Sequence, residues 1–316
     1  MARGSILITG GLGFVGQAIM QRLTNEGCGV RVLDNLSNSC VSADQAKLAG
    51  AEVKIGDVCN LQDCIEATEG INSVIHLAAQ TGVLPSVKEP AKDLEINGFG
   101  TLNMLMACRQ KNIETFVLAS SNAVIGLADP PVHEEMMPVP QSPYGASKLL
   151  AESYCRTFSY LYGMRTHALR FSNIYGPGSV KKGSVVAKFM KDAIVNNTLT
   201  IFGNGNQTRD FLYIEDLIDA ILTSLDLQDG GGVFCLGSGC PTTIETLAQI
   251  TQELYCSWSG KPLLIKYESP RRGEIEKNFS SITKARVTLK FRPKKHLKAG
   301  LKETWQWFTE NSKAIT

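Results

Sequence analysis

Residues 5–9, Ser-Ile-Leu-Ile-Thr, run directly into Gly10-Gly11-Leu12-Gly13-Phe14-Val15-Gly16 and then into an amphipathic pattern that continues through Leu23. No other feature restricts the possible folds as strongly. A strand that meets regularly spaced glycines and then opens a helix brings bare backbone close to a bound anion. Gly10 permits the tight strand-to-helix turn, Gly13 leaves room for a pyrophosphate, and Gly16 lets the helix pack on the sheet. The first N–H groups of that helix lack intrahelical acceptors, and the helix dipole puts positive charge at the same end. A glycine triplet alone would also fit a plain tight turn. The neighbouring sequence narrows the choice. The next strand, Val30-Arg31-Val32-Leu33, ends in Asp34, about 20 residues on, where a carboxylate accepts both ribose hydroxyls of an adenosine and repels a 2′-phosphate. NAD is therefore expected rather than NADP. Asp34 as a solvated turn residue before Asn35 is the competing reading.

From residue 5 to about 171, β-branched or apolar runs alternate with helical patterns, the rhythm of repeated strand–helix–strand units and a parallel sheet. Strands are expected at 5–9, 29–33, 52–55, 73–77, 115–119 and 165–171, with helices at 14–26, 60–68, 93–111 and 143–162. After Phe171 a turn-rich stretch to Gly183 gives way to short mixed elements without clean alternation. The expected fold class is α/β: a Rossmann-type doubly wound parallel sheet over residues 1–172, followed by a smaller mixed α/β substrate domain over 173–316. The chain is free to cross back to the first domain near 210–240. No long linker separates the two parts, so they are expected to share one cleft.

Composition excludes several classes. The formal net charge of +2 gives no basis for a nucleic-acid surface or a polybasic membrane anchor. No apolar run approaches the roughly 18 residues of a membrane span, and the short stretch Ile6-Leu7-Ile8 meets glycine too soon for a signal peptide. Nine cysteines, scattered and without a Cys-x-x-Cys pair, argue against a disulfide framework or a zinc site and point to the cytoplasm. The four histidines, His76, His133, His167 and His296, have no metal-ligand spacing, so no metal is expected. Gly178 to Gly183 has the glycine spacing of a Walker loop, but Ser184 stands where its lysine is required.

The chemistry is expected at Ser142-Pro143-Tyr144-Gly145-Ala146-Ser147-Lys148. Ser142 can cap the helix and Pro143 suits its first turn. Tyr144 and Lys148, four apart, share one helix face. An ammonium beside a phenol stabilises the phenolate and draws its pKa down from about 10, so Tyr144 is expected to take a proton from a hydroxyl near neutrality. Tyr-x-x-x-Lys by itself is common. Here it opens the helix after the fifth strand, whose end carries Ser120-Ser121, and open parallel sheets bind ligands beyond the carboxyl ends of their strands. Ser121 can share the substrate hydroxyl with Tyr144, or it can be a turn serine.

These segments together resemble the extended short-chain dehydrogenase/reductase family, in its nucleotide-sugar epimerase/dehydratase branch. The resemblance rests on TGGLGFVG, VLDNLS, the GDV containing Asp57, HLAAQ at 76–80, ASSNAVIG at 119–126, YGASK, RFSNIYGPG at 170–178 and TRDFLYIEDL at 208–217. They span most of the chain in the family's order. The resemblance implies a catalytic set of Ser121, Tyr144 and Lys148. It also implies an NAD site at Gly10, Gly13, Phe14, Val15, Gly16, Asp34, Asn35, Asp57, Val58, Leu77, Ala78, Ala79 and Gln80, with Tyr144 and Lys148. In that set Asp57 and Val58 would contact the adenine, Ala78 and Ala79 would line the phosphoribose path, and Lys148 would hold the nicotinamide ribose. On the substrate side it implies Ser121, Asn122, Tyr144, Asn173, Arg209, Arg271 and Asn278, the two arginines gripping a diphosphate, with Arg272 in place of Arg271 if the register slips by one. Relatives pair the helices near 98–108 and 149–161 into a homodimer; packing against the chain's own second domain is the alternative.

Family members differ most just after the catalytic serine or threonine. Dehydratases of the family carry an acid pair there; this chain has Asn122-Ala123. Elimination of water loses its acid and its base, each commonly worth about 10² to 10⁴ in rate. The resemblance therefore implies inversion at C4 of a UDP-sugar of the glucose, N-acetylglucosamine or glucuronate type through a 4-keto intermediate. A nucleotide-linked 4-keto-sugar reductase, a dehydratase and a non-catalytic NAD-binding protein are the alternatives. Ile125 stands where relatives usually carry a tyrosine, and Asn278 sits at the position that limits N-acetyl acceptance.

Overall fold

The computed structural model describes residues 4–228, 230–270 and 275–312. The strands run in chain order as β1 (Ile6–Thr9), β2 (Val30–Asp34), β3 (Glu52–Ile55), β4 (Ser73–His76), β5 (Thr115–Ser121), β6 (Arg165–Phe171), β7 (Asn173–Tyr175), β8 (Thr198–Phe202), β9 (Thr208–Tyr213), β10 (Gly231–Leu236), β11 (Pro241–Thr243) and β12 (Leu264–Glu268). Seven of them form one sheet in the order β10-β6-β5-β4-β1-β2-β3, every pairing parallel. The order reverses between β1 and β4, which opens a crevice at the carboxyl ends of those strands. A three-stranded sheet, β11-β9-β7, and a strand pair, β12-β8, come from the second half of the chain.

Both faces of the large sheet are covered, so its strands read as unbroken apolar runs. Ile6, Leu7 and Ile8 are all buried, yet they face opposite layers, as the two-residue period of a strand requires. Ile6 and Ile8 join Ile19 and Leu23 of the helix Phe14–Asn25 and Leu217 and Ile221 of the helix Ile214–Leu225. Leu7 packs with Met104, Leu105, Ala151 and Phe158 from the helices Gly100–Gln110 and Pro143–Tyr162. Ser142 caps the latter helix by accepting from Gly145 N at 3.1 Å, and Gly163 closes it in the left-handed region.

Two features depart from the sequence reading. The helix expected over 93–111 is a short helix Pro90–Asp93, a π-turn Leu94–Phe99 and then the helix Gly100–Gln110. Buried polar residues Asp93, Asn97 and Thr101 line its inner side, and a π-turn commonly marks a functional segment. The seventh strand of the large sheet, β10, lies beside β6 although about sixty residues of chain intervene between them.

His76 ends β4 wholly inside the protein, its Nδ1 2.8 Å from Thr9 Oγ1 and its Nε2 3.2 Å from Thr101 Oγ1. Burial first, and the charge of Lys148 second, push it down to about 3, so it is a neutral structural imidazole. Behind β5 a buried ion pair joins the helix Pro143–Tyr162 to β6: Arg170 donates from Nε to Glu152 Oε1 at 2.9 Å and from Nη2 to Glu152 Oε2 at 2.7 Å. Ser120 donates to the same carboxylate. Truncating one member of such a pair strands a buried charge and typically costs about 3–5 kcal/mol. Glu152→Ala should lower the unfolding free energy by that amount in urea titrations, and Glu152→Met with Arg170→Met should recover most of it.

Candidate active site

Thr9 delivers the chain to Gly10, whose φ of +65° suits glycine and whose added Cβ would lie 2.9 Å from Ala78 N. Gly16 is held as tightly. A Cβ there would sit 2.4 Å from Gly10 O and 2.5 Å from Gly11 Cα. Gly13 differs, since a Cβ would meet only Gly10 O at 3.3 Å and otherwise point into open space. It is the N-cap of the helix Phe14–Asn25 and offers no side-chain cap, so the first N–H groups, those of Phe14 and Val15 among them, are left available to an anion. This cradle fits the diphosphate of a dinucleotide.

At the end of β2, Asp34 is buried beside the cradle, accepting from Leu12 N at 3.0 Å, Leu36 N at 2.9 Å and Ser39 Oγ at 3.0 Å. Asn35 donates to Asp57 Oδ2 at 2.9 Å. Burial pushes the Asp57 carboxyl up, but bonds from Cys59 N and Asn35 outweigh it and hold the group below its ordinary range. Val58 packs beneath against Gly100. After β4, Leu77 N and Ala78 N bond to Thr9, the latter to its hydroxyl at 3.1 Å, so the two loops flanking the crevice are tied together. Ala79 and Gln80 follow, and the buried Gln80 Oε1 has no protein partner.

Ser121 and Tyr144 face each other across the crevice, the serine hydroxyl near enough to favour the phenolate form of the tyrosine. Lys148, one turn further on, is buried with Nζ 2.9 Å from Ala119 O. The expectation that this ammonium draws Tyr144 down is corrected. Desolvation pushes Tyr144 up to about 12, the bond from Ser121 opposes this, and the charge of Asp93 adds to it. The Lys148 amine is directed at the Ala119 carbonyl, and in this site its charge does not outweigh the desolvation of the phenol. Burial pushes Lys148 itself down to about 8, against the raising effect of Asp93.

Asn122 follows Ser121 and is buried, donating to Ser280 Oγ at 2.6 Å while its own Oδ1 has no protein partner. Asn173 on β7 donates to Asp210 O at 3.3 Å. Arg209, on the adjacent β9, directs Nη1 to Thr208 O at 2.8 Å and Ile275 O at 2.7 Å. Asn278 pairs its backbone N–H with Thr208 O at 3.2 Å. The structure thus brings Asn173 and Arg209 onto neighbouring strands of one small sheet, with Asn278 bonded along β9 at Thr208. Arg271 and the alternative Arg272 lie outside the described residues.

The sequence reading missed Asp93, Asn97 and Ser147. Asn97 Nδ2 lies 3.1 Å from Gln80 O, from Asp93 Oδ2 and from Ser147 Oγ, and Ser147 Oγ lies 2.5 Å from Asp93 Oδ1. Their signal was present as Asp93, Asn97 and Thr101 at intervals of four on a helix face that should otherwise be apolar.

Comparison with known proteins identifies the family and the fold. Residues 6–237 match the model of the NAD dependent epimerase/dehydratase family. A putative UDP-glucose 4-epimerase of Methanocaldococcus jannaschii is 34% identical over 98% of this chain and 99% of its own length. A UDP-glucuronate 4-epimerase of Thermodesulfobacterium geofontis is 32% identical over 99% and 98% respectively. The crystal structure of Thermotoga maritima UDP-glucose 4-epimerase with UDP-glucose superposes with a TM-score of 0.90 at 31% identity, covering 98% of this chain and 99% of that one.

The two glycines of the cradle separate binding from folding. Gly13→Ala should leave thermal stability nearly unchanged while weakening dinucleotide affinity about tenfold or more in a fluorescence titration, a loss of at least ~1.4 kcal/mol. Gly16→Ala should lower unfolding free energy by about 1–3 kcal/mol, because backbone must move to admit the methyl.

Proposed function

This chain belongs to the NAD-dependent epimerase/dehydratase family, and from that premise we propose that it inverts C4 of a UDP-sugar of the glucose, N-acetylglucosamine or glucuronate type. The observation that carries this reading is the placement of Ser121 at the carboxyl end of β5 opposite Tyr144, with Lys148 one turn further along the same helix and bonded to β5 at Ala119 O, and no carboxylate after Ser121. NAD, when bound, supplies a reversible hydride acceptor at this edge. Tyr144 takes the proton from the sugar 4-hydroxyl and returns it after the 4-keto sugar has turned over. Ser121 holds the same oxygen in line. Lys148 and the positive end of the helix that Tyr144 opens stabilise the phenolate. Asn122, engaged with Ser280, offers neither the acid nor the base that elimination of water needs.

We assign cofactor binding to residues 1–172 and sugar-nucleotide binding chiefly to 173–316, with Asn173 and Arg209 toward the diphosphate and Asn278 toward the sugar. A homodimer is the proposed assembly. Phe99, Met106 and Leu161 are exposed on the helices that would pair, at 57%, 41% and 57%, which supports it. Nine free cysteines, four of them buried, favour the reducing cytoplasm.

Incubation with a panel of UDP-sugars without added cofactor should yield C4-inverted product by NMR. Tyr144→Phe should reduce that turnover by about 10² to 10⁴ while leaving nucleotide-sugar affinity within a few-fold. Retention of full turnover would overturn the assignment.

A further inference from the structure

Asp93 is fully buried, and no step of the proposed reaction uses it. It ends the short helix Pro90–Asp93 where the π-turn begins and lies against the first turns of the helix Pro143–Tyr162. Its oxygens accept from neutral donors: Ser147 Oγ at 2.5 Å and Asn97 Nδ2 at 3.1 Å. Two donors and no acceptor partner describe an ionised carboxylate. Ser147 is next in sequence to Lys148, and its hydroxyl also lies 3.1 Å from Tyr144 O. The carboxylate is therefore linked through Ser147 to the turn that carries Tyr144 and Lys148.

We propose that Asp93 is a positioning residue for proton transfer: clasped by Ser147 and Asn97, it fixes the first turn bearing Tyr144 and keeps Lys148 an ammonium in a site that excludes water. The inference rests on the reading of Tyr144 and Lys148 as the proton-transfer pair. Burial alone drives an amine toward its neutral form, and a neutral Lys148 could not offset a phenolate. The negative charge of Asp93 acts on both partners, favouring the ammonium of Lys148 and the neutral phenol of Tyr144. Removing it lowers the pKa of both.

Among the charges around this point Asp93 raises Lys148 most, with Cys155 and Glu152 on the same helix after it. On the helix Pro143–Tyr162, Glu152 is committed to Arg170. On β4, His76 is neutral. On its own segment, Glu89 and Lys92 pair with each other at 3.6 Å on the surface, and Lys88 and Glu95 are exposed.

The test compares the full-length protein with Asp93→Asn, which keeps the shape and removes the charge. Both limbs of the pH–rate profile for UDP-sugar turnover should move toward lower pH by roughly one unit, the shift expected on losing a neighbouring opposite charge. Lys148, followed by ¹⁵N NMR in protein carrying labelled lysine, should titrate lower by the same amount. Ser147→Ala, which retains the charge, should lower kcat without moving either limb. Asp93→Ser is the second variant, and the same shifts are required of it if Asp93→Asn does not fold. In the unaltered protein the Asp93 carboxyl must be ionised by ¹³C NMR at neutral pH. A folded charge-removing variant with unmoved limbs and an unmoved Lys148 titration overturns the proposal, as does a neutral Asp93. If the unaltered protein turns over no UDP-sugar, the functional reading fails, while the Lys148 and Asp93 titrations still decide this inference.

Discussion

Exclusion of water from the carboxyl edge of the central sheet governs this molecule. Four titratable groups around the catalytic helix shift toward their neutral forms: Tyr144 up to about 12, Lys148 down to about 8, His76 down to about 3, and Asp93 upward. A phenol in such a place gives up its proton only if positive potential is supplied without water. The fold supplies it from an ammonium one helical turn away and from the N-terminus of the helix that Tyr144 opens. The cationic ring of an oxidised nicotinamide adds to that potential when bound. Preorganised charge in a dry site is worth far more than the same charge in solvent.

Such a site needs a rigid floor, and buried polar links provide it. Glu152 and Arg170 lock the catalytic helix to β6, with Ser120 joined to the same carboxylate one residue before Ser121. The substrate-side sheet is fastened by Asp210, which accepts from Ser238 N at 2.7 Å, Ser238 Oγ at 2.6 Å, Gly239 N at 3.2 Å and Ser280 N at 3.2 Å. Ser280 in turn accepts from Asn122, which ties the end of β5 to the second half of the chain. Burial pushes the Asp210 carboxyl up, and these four donors oppose that push.

Local chemistry was the legible part of the sequence. Six strands of the large sheet fell where apolar runs meet turn residues, because parallel strands buried on both faces carry no other pattern. The helix over 143–162 was marked at both ends, by Ser142-Pro143 and by Gly163. Non-local placement was harder to read. Strand β10 has a short apolar core, Val233 to Leu236, behind three glycines, and only the finished edge of β6 selects its partner. Asp93 and Asn97 were hidden in an apparently ordinary helix, since a π-turn changes which residues point inward without changing composition. The pull of Lys148 on Tyr144 was inferred from spacing alone. Spacing sets the shared helix face but not the direction of the amine, which a carbonyl of β5 captures.

The central claim is that one half-buried phenol passes a proton back and forth while the hydrogen on C4 leaves and returns within the same site. The most direct measurement uses a UDP-sugar carrying deuterium at C4, incubated with the unaltered protein in ordinary water. The account predicts inverted product that retains the deuterium at C4. Product whose C4 hydrogen has come from solvent would contradict it.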